Sequence, residues 1–282
     1  MKISVSTKND ETYEALFDDL IQEVFNFSFA PWFALKLWDK RYESYSIIQS
    51  GKMLSNACIY KSALLVQGET VSALQFGAVA TRPEERKKGY AKEIMECILD
   101  IYQDEPCFLA ANHTVSKFYQ QFGFRQIRTY RPIVDVEINN LTGRAVQCAP
   151  DEDLVIRALE NKRICSFELD IINTQSVKMF HLLLNYANSI YYLPTNKVVV
   201  IAKQQKDKLF IADIIAHETL LFKDLLWELP FNGVKYVEFG FCPDWLKVNP
   251  HWEEENLIKN PFFVRGEWSL PPRFRFPVLS ET

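Results

Sequence analysis

The chain has 282 residues, 48% of them hydrophobic and 14% aromatic, which excludes a disordered or fibrous protein and allows about two domains with substantial cores. Its net charge of -4 argues against a general nucleic-acid binder, which carries a basic face. No apolar run approaches the roughly 20 residues that span a bilayer, and the N-terminus lacks the apolar stretch of a signal peptide, so the expectation is a cytoplasmic protein without a membrane partner.

In chain order, "DETYEALFDDLIQEVFNFSF" places Tyr13, Leu16, Leu20, Val24 and Phe27 at helical spacing between acidic residues. "APWFALKLWDKRY" reads as a second short helix with Pro31 in its first turn. From Ser44 to Thr81 the pattern changes to β-rich runs, "YSIIQS", "MLSNACIYKSALLVQG" and "VSALQFGAVAT", with turns at Gly51 and Gly68. A basic loop, Arg86-Lys87-Lys88-Gly89, leads into a helix from about Tyr90 to Gln103. "CFLAAN" is a strand, "TVSKFYQQFGF" a helix stopped at Gly123, and "YRPIVDVEI" another strand.

A polar stretch, residues 139 to 153, marks a boundary between a domain over 1–140 and one over 150–282. The second domain repeats the general order: a helix around Ser176 to Ala187, strands "KVVVIAKQ" and "KLFIADIIA", a helix "ETLLFKDLLWEL" and a strand "KYVEFGF". The tail, rich in Pro and aromatics, reads as irregular with short strands. Cysteines at 58, 97, 107, 148, 165 and 242 make no C-x-x-C pair, and the four histidines are scattered, so free thiols and no metal site are expected.

The informative stretch is "VATRPEERKKGYAKEIM". A glycine opening a helix lets successive N–H groups converge without a side chain in the way, and the helix dipole adds positive potential. Arg86, Lys87 and Lys88 add charge, so a phosphate or pyrophosphate is the expected ligand. Neither G-x-x-x-x-G-K-[ST] nor G-x-G-x-x-G is present. Alone, R-x-x-G-x-A is a weak pattern, and a solvated basic helix start explains it equally well.

A second element changes the balance. The strand and loop resemble the GCN5-related N-acetyltransferase (GNAT) superfamily, whose acetyl-CoA signature is R/Q-x-x-G-x-G/A, here Arg86, Gly89 and Ala91. The superfamily's N-x-x-A-x-x-(Leu/Phe)-Tyr-x-x-x-Gly-Phe follows as Asn112, Val115, Phe118, Tyr119, Gly123 and Phe124, with Val115 where the family has a small alanine. The two motifs cover roughly residues 45 to 137.

The resemblance implies an α/β fold with a mixed, largely antiparallel sheet flanked by helices, and an acetyl-CoA-dependent N-acetyltransferase acting on the primary amine of a small molecule. Acetyl-CoA would be the co-substrate, with no metal. Backbone amides from Arg86 through Ala91, including Lys87, Lys88, Gly89 and Tyr90, would hold the pyrophosphate. Val79, Ala80 and Thr81 would pair with the pantetheine arm and polarise the thioester carbonyl, and Asn112 would approach from the next strand. Tyr119 would be the general acid toward the leaving thiolate. Phe118, on an adjacent helix position, fits a core role better. The base stays open between His113, Glu69 and a water chain.

The aromatic segment "FNFSFAPWFALKLWDKRY", with Asp39 and Glu43, would wall the acceptor pocket and pair with a cationic amine, Phe25, Trp32, Phe33 and Trp38 being partly core. The acidic overall balance leans toward polyamine or aminosugar acceptors. After "LFIADIIA" the second half reads "HETLLFKDLL", with Glu218 and no glycine, which implies a degenerate, non-catalytic GNAT-like lobe. This tandem order resembles the enhanced intracellular survival acetyltransferases without their sterol-carrier-like domain, so the C-terminal carboxylate role of that family does not simply transfer to Thr282. Two other readings stand beside this one: a different acyl group or a peptide acceptor on the same fold, and a CoA-sensing module without chemistry. The sequence does not disclose oligomeric state.

Overall fold

The computed structural model describes residues 2–138, 143–162 and 165–282; of the expected boundary, 139–142 lie outside the described residues. The strands are β1 (Ser4–Ser6), β2 (Tyr42–Gln49), β3 (Lys52–Val66), β4 (Glu69–Thr81), β5 (Cys107–Ala110), β6 (Arg125–Ile127), β7 (Tyr130–Ile138), β8 (Val146–Cys148), β9 (Leu169–Ile172), β10 (Ile190–Leu193), β11 (Val198–Gln205), β12 (Lys208–Ile215), β13 (Val234–Phe239), β14 (His251–Glu254) and β15 (Phe262–Arg265). The helices are α1 (Glu11–Phe25), α2 (Ala30–Ala34), α3 (Tyr90–Ile101), α4 (Ser116–Gln120), α5 (Asp153–Glu160), α6 (Gln175–Asn185) and α7 (Phe222–Glu228).

Two mixed sheets carry the fold. The first runs β1-β2-β3-β4-β5-β15-β6, with β9 added beside β3; the second runs β14-β7-β13-β12-β11-β10-β8. Each is antiparallel except at one junction, β4 with β5 and β12 with β13. Both junctions follow from a helix, α3 or α7, crossing between parallel neighbours. The architecture is the expected α/β class, in two lobes.

The sheets exchange strands. The tail strand β15 sits inside the first sheet, where Phe263 pairs with Leu109 on one side and Gln126 on the other. In return β7, from the first half, lies between β13 and β14. A division of the chain near residue 140 therefore follows chain order and not sheet membership. Alternation explains why β15 can be claimed so far from its own half: Phe262, Phe263 and Val264 are all buried, filling both faces of the sheet.

Helix α1 starts at Asp10, whose side chain accepts from Tyr13 N at 3.1 Å, and stops at Asn26 in the left-handed region with φ 61°. Its buried face is Phe17, Leu20 and Ile21, with Tyr13, Leu16 and Val24 at the margins, one residue round from the expected stripe. Each such burial is worth about 1.5–3 kcal/mol. Helix α2 is only five residues long because Lys36 turns left-handed, with φ 52°, soon after it. Helix α7 is shorter than its sequence pattern, beginning at Phe222 instead of near Glu218. Gly51 and Gly68 do form the turns, with φ of 74° and 83°.

Candidate acyl-transfer site

Strands β4 and β5 pair only at Leu74–Cys107 and Gln75–Phe108, and then diverge. From Phe76 to Thr81 no described strand pairs with the β5 side of β4, which leaves main-chain groups facing a cleft. Within that stretch the strand is bulged: Asn56 pairs with Ala80 and Cys58 with Gly77, so two residues oppose Ala57, and Ala78 takes φ 47°. The strain is held by a buried polar thread. Asn56 Nδ2 donates to Ala78 O at 3.1 Å, and Asn56 Oδ1 accepts from Ser44 Oγ at 2.6 Å. Such strained backbone clusters where a chain must aim a group.

The basic loop closes one end of the cleft. Arg86 is extended, Lys87 left-handed at φ 66°, and Gly89, the residue capping α3, left-handed at φ 91°. Glu93 N makes the first intrahelical bond, to Gly89 O at 3.0 Å, so the amides of Tyr90, Ala91 and Lys92 have no helical acceptor, and no capping side chain covers them. A Cβ placed on Gly89 would meet nothing within 4 Å, so the glycine is there for its φ and for the approach of a ligand. The donor set fits a pyrophosphate.

A cavity of about 1080 Å³ joins this loop to the cleft. Val79, Thr81, Arg86, Lys87, Gly89, Tyr90, Ala91, Asn112 and Tyr119 line it. Two residues expected here do not. Ala80 points to the opposite face of β4 and is buried under α1, so only its main chain is available. Lys88 turns outward, its Nζ donating to Glu85 at 2.8 Å, because the loop directs its side chain back along the preceding turn. Arg86 reaches Thr81 O at 3.3 Å, and Asn112 Oδ1 accepts from the N and Oγ1 of Thr114, both at 3.1 Å, fixing the turn that leads into α4.

Tyr119 is 6% exposed and lies among Phe118, Phe124 and Phe263, at ring separations of 5.3, 6.2 and 6.1 Å. Burial pushes its hydroxyl up to about 12, so it stays protonated at any physiological pH. Phe118, expected as the core partner, is the less buried of the two and also lines the cavity. The side chain of His113 lies outside the described residues, and Glu69 is at the far end of β4 from the cleft.

Asp39 and Glu43 do not line the cavity. Asp39 is held by Arg41 at 2.6 Å, and Glu43 by Lys61 at 2.6 Å, Tyr45 at 2.7 Å and Tyr102 at 2.8 Å. Burial opposes the charge of both, but these donors outweigh it and hold both carboxyls below their usual range. Of the aromatic segment, Phe25, Phe27, Phe29 and Trp32 line the cavity, while Phe33 and Trp38 stay in the core.

Several contributors were missed or set aside in the sequence reading. Val177 and Phe180 of α6 and the terminal Thr282 line the cavity from the second half of the chain. Thr282 packs so closely on Gly77 that a Cβ there would come within 2.5 Å of Thr282 Oγ1. Gln75 secures that segment, its amide placed to donate to Ser280 O at 3.0 Å and accept from Thr282 N at 2.7 Å. Arg82, 1% exposed, bonds Met53 O at 2.7 Å and pairs with Asp19 and Glu23, fastening α1 beside the basic loop. Arg82 left a trace in the sequence, a cation just outside the signature, and Thr282 is the residue for which the resemblance raised a C-terminal role that did not simply transfer; Val177 and Phe180 are long-range and left none. Among the described residues no His, Cys, Asp and Glu cluster is arranged to hold a metal, and no helix is long and apolar enough to cross a membrane.

Residues 5–127 match the sequence profile of an acetyltransferase (GNAT) domain. Among solved structures, the fold is similar to a conserved Enterococcus faecalis V583 protein described as a probable N-acyltransferase, at 17% identity and TM-score 0.57, covering 94% of this chain and 73% of that one. It is similar to a GCN5-related N-acetyltransferase from Kribbella flavida, at 16% identity and TM-score 0.56, covering 94% of this chain and 72% of that one. It is similar also to Eis1 from Mycobacterium abscessus, at 14% identity and TM-score 0.57, covering 93% and 73%. No curated protein matches at a significant level. Identities this low speak for the fold alone, and the profile speaks for residues 5–127: that region is similar to acetyltransferase (GNAT) domains, and it is set in a two-lobed fold like that of these structures.

Proposed function

We propose that the chain is an N-acetyltransferase that moves an acetyl group from acetyl-CoA to a primary amine by direct attack in a ternary complex. The observation that carries this is convergence on one cavity: open amides at the start of α3, the unpaired and bulged edge of β4, and the hydroxyl of Tyr119. The α3 amides, with Arg86 and Lys87, hold the pyrophosphate. Main-chain groups of Val79 to Thr81 pair with the pantetheine arm, and a β4 N–H supports the oxygen of the thioester carbonyl as negative charge develops there.

As the amine nitrogen bonds to the acyl carbon, the C–S bond breaks and its electron pair stays on sulfur. Tyr119 meets that sulfur. An ordinary thiol has a pKa of about 8.5, well below the value near 12 of Tyr119. Full proton transfer from the phenol is therefore uphill, and Tyr119 acts mainly as a hydrogen-bond donor until the proton released by the amine reaches the thiolate. No alkaline limb from Tyr119 is expected below about pH 11, one unit beneath its pKa. The second lobe serves as a non-catalytic partner that completes the acceptor wall through Val177 and Phe180.

Acetyl-CoA binding by calorimetry, followed by an amine panel scored by thiol release, tests this. Native protein should bind acetyl-CoA and turn over at least one amine, and Tyr119→Phe should bind equally while its kcat falls about 100-fold. Unchanged turnover in Tyr119→Phe would remove Tyr119 from the mechanism, and absence of acetyl-CoA binding would end the acyltransferase reading.

A further inference from the structure

The cavity that begins at the basic loop ends in a wall of rings. Phe25 and Phe27 stand 6.0 Å apart, Phe27 and Phe29 5.6 Å, Phe29 and Trp32 5.9 Å, and Phe29 and Phe180 4.5 Å between ring centroids. Two separate parts of the chain thus build one continuous aromatic surface, α1–α2 from one side and α6 from the other. Its polar handle is already used, since Trp32 Nε1 donates to Ser176 O at 2.7 Å. What faces the cavity there is π-face and aliphatic edge.

Side-chain charge is distributed one way only. The cations on the cavity, Arg86, Lys87 and Lys92, all belong to the cofactor end. Glu85, the one side-chain carboxylate among the described lining residues, is also at that end and is engaged by Lys88 at 2.8 Å. Asp39 and Glu43 are committed elsewhere, to Arg41 and to Lys61. An acceptor carrying several ammonium groups would find no free side-chain countercharge and at most the main-chain carboxyl of Thr282 beside Gly77, so each ammonium beyond one would leave water at a cost of several kcal/mol. A single ammonium on an aromatic body meets the opposite situation. Its ring buries against rings, and its one charge gains cation–π attraction until it loses the proton that frees the lone pair.

We propose, resting on the acyltransferase reading, that the acceptor is a primary monoamine carried on an aromatic or bulky apolar body, taken in preference to polyamines. Phe29 and Phe180, in the closest ring contact of the wall, set this preference. The overall acidic balance of the chain points the other way, but local lining decides a desolvated site.

Calorimetry on the full chain loaded with CoA, titrated with phenethylamine, tryptamine and spermidine, tests the preference apart from turnover. The aromatic amines should bind at least about tenfold more tightly than spermidine, and Phe180→Leu should cost them about fivefold to tenfold while leaving spermidine unchanged. Phe180→Glu, at the rim of the wall, should bring spermidine binding up, with the far-ultraviolet spectrum confirming that both variants fold. Spermidine binding as well as or better than the aromatic amines overturns the proposal, and so does a failure of all three to bind. It is also overturned if hexanoyl-CoA binds about tenfold more tightly than acetyl-CoA and Phe180→Leu removes only that gain, because the wall then lodges an acyl chain. Loss of acetyl-CoA binding alone would strike the acyltransferase reading, while the amine affinities would still decide the pocket.

Discussion

The two lobes place a helix after a strand in the same way and leave opposite results at the strand ends. In the first, β4 and β5 share two residue pairs and splay open. In the second, β12 and β13 share four pairs, from Lys208–Tyr236 to Ile211–Phe239, and the chain beyond is filled. Gly240 N donates to Ile211 O at 2.8 Å, Val278 N donates to Gly240 O at 2.9 Å, and Leu279 is buried among Ala212, Ile215 and Leu182. The tail segment that closes the second cleft then runs on to place Thr282 in the first. The loops differ in step. Where the first lobe has Arg86-Lys87-Lys88-Gly89 and a 12-residue helix, the second has His217-Glu218-Thr219-Leu220 and a helix of seven that starts from Leu221. A cleft becomes a binding site when a splay, a free set of amides and a left-handed glycine coincide. Fill the splay and the helix start has nothing to hold.

That contrast is most directly broken at Gly89. Gly89→Asp forces a side chain into φ 91° and puts a carboxylate where a pyrophosphate should sit. The expected result is a loss of acetyl-CoA affinity of more than about 100-fold, the sum of strain and charge repulsion. Native protein should bind one acetyl-CoA per chain and the variant none, read from calorimetric stoichiometry. A residual site of unchanged affinity in the variant would mean that the second lobe binds the cofactor after all.

The basic-loop end of the candidate site was legible because its parts are local. The signature from Arg86 to Ala91 and the second motif from Asn112 to Phe124 each fit within one turn of chain and one element, where spacing maps directly onto geometry. The aromatic end of the cavity was legible only in composition. The rings of Phe25, Phe27, Phe29 and Trp32 could be counted, but nothing in their spacing told Phe29 from Phe33, or foretold Phe180 in contact with both Phe27 and Phe29 across 150 residues. The exchange of β7 and β15 was hidden for the same reason: a four-residue apolar strand carries no address, and its partner is chosen by which sheet has an unfilled edge. Asp39 and Glu43 were misassigned because a carboxylate beside aromatic residues looks available until a neighbouring Arg41 or Lys61 is seen to claim it.

A second prediction sharpens the lobes' difference in what their equivalent strands bury. Asp213 on β12 is 4% exposed and lies between Lys178 and Lys162, and Lys162 also reaches Asp170 on β9, a strand of the first sheet. This network spends the second lobe's polar interior on joining the sheets. Burial disfavours the charge of Asp213, but attraction to both lysines and their hydrogen bonds outweigh it and keep its carboxyl below the usual range. Asp213→Ala strands two ammonium groups and should cost about 3–5 kcal/mol in urea unfolding. Asp213 is depressed in the fold, so its contribution should be present at neutral pH and fade as pH drops through the folded value. A cost under about 1 kcal/mol would show that the lysines find water and that the network is not a strap.

A smaller effect is expected where the tail closes the second cleft. A Cβ on Gly240 would lie 2.6 Å from Val278 Cγ2 and 3.1 Å from Ala212 O. The methyl of Val278 can give way, but the carbonyl of β12 cannot. Gly240→Ala should therefore cost about 1–3 kcal/mol. It should also raise the KM for the amine a few-fold, because Thr282 shifts in the first lobe, while acetyl-CoA affinity stays native. Equal damage to both substrates would instead indicate a general loss of fold.

The smallest effect concerns the same tail and depends on pH. Burial raises the carboxyl of Glu281 from 4.5 to about 7, with Arg275 pulling it down and Glu255 pushing it up. Between those two values the native chain keeps a proton that the unfolded chain has released. Stability must then fall as pH rises through that window and stay at the lower level above it. Glu281→Gln removes the penalty without changing shape. Its melting temperature should exceed native by about 4 °C at pH 8 and match it near pH 4.5, the unfolded value. An equal gain at both pH values would assign the effect to packing, and no gain at pH 8 would mean that Arg275 already neutralises the buried carboxylate.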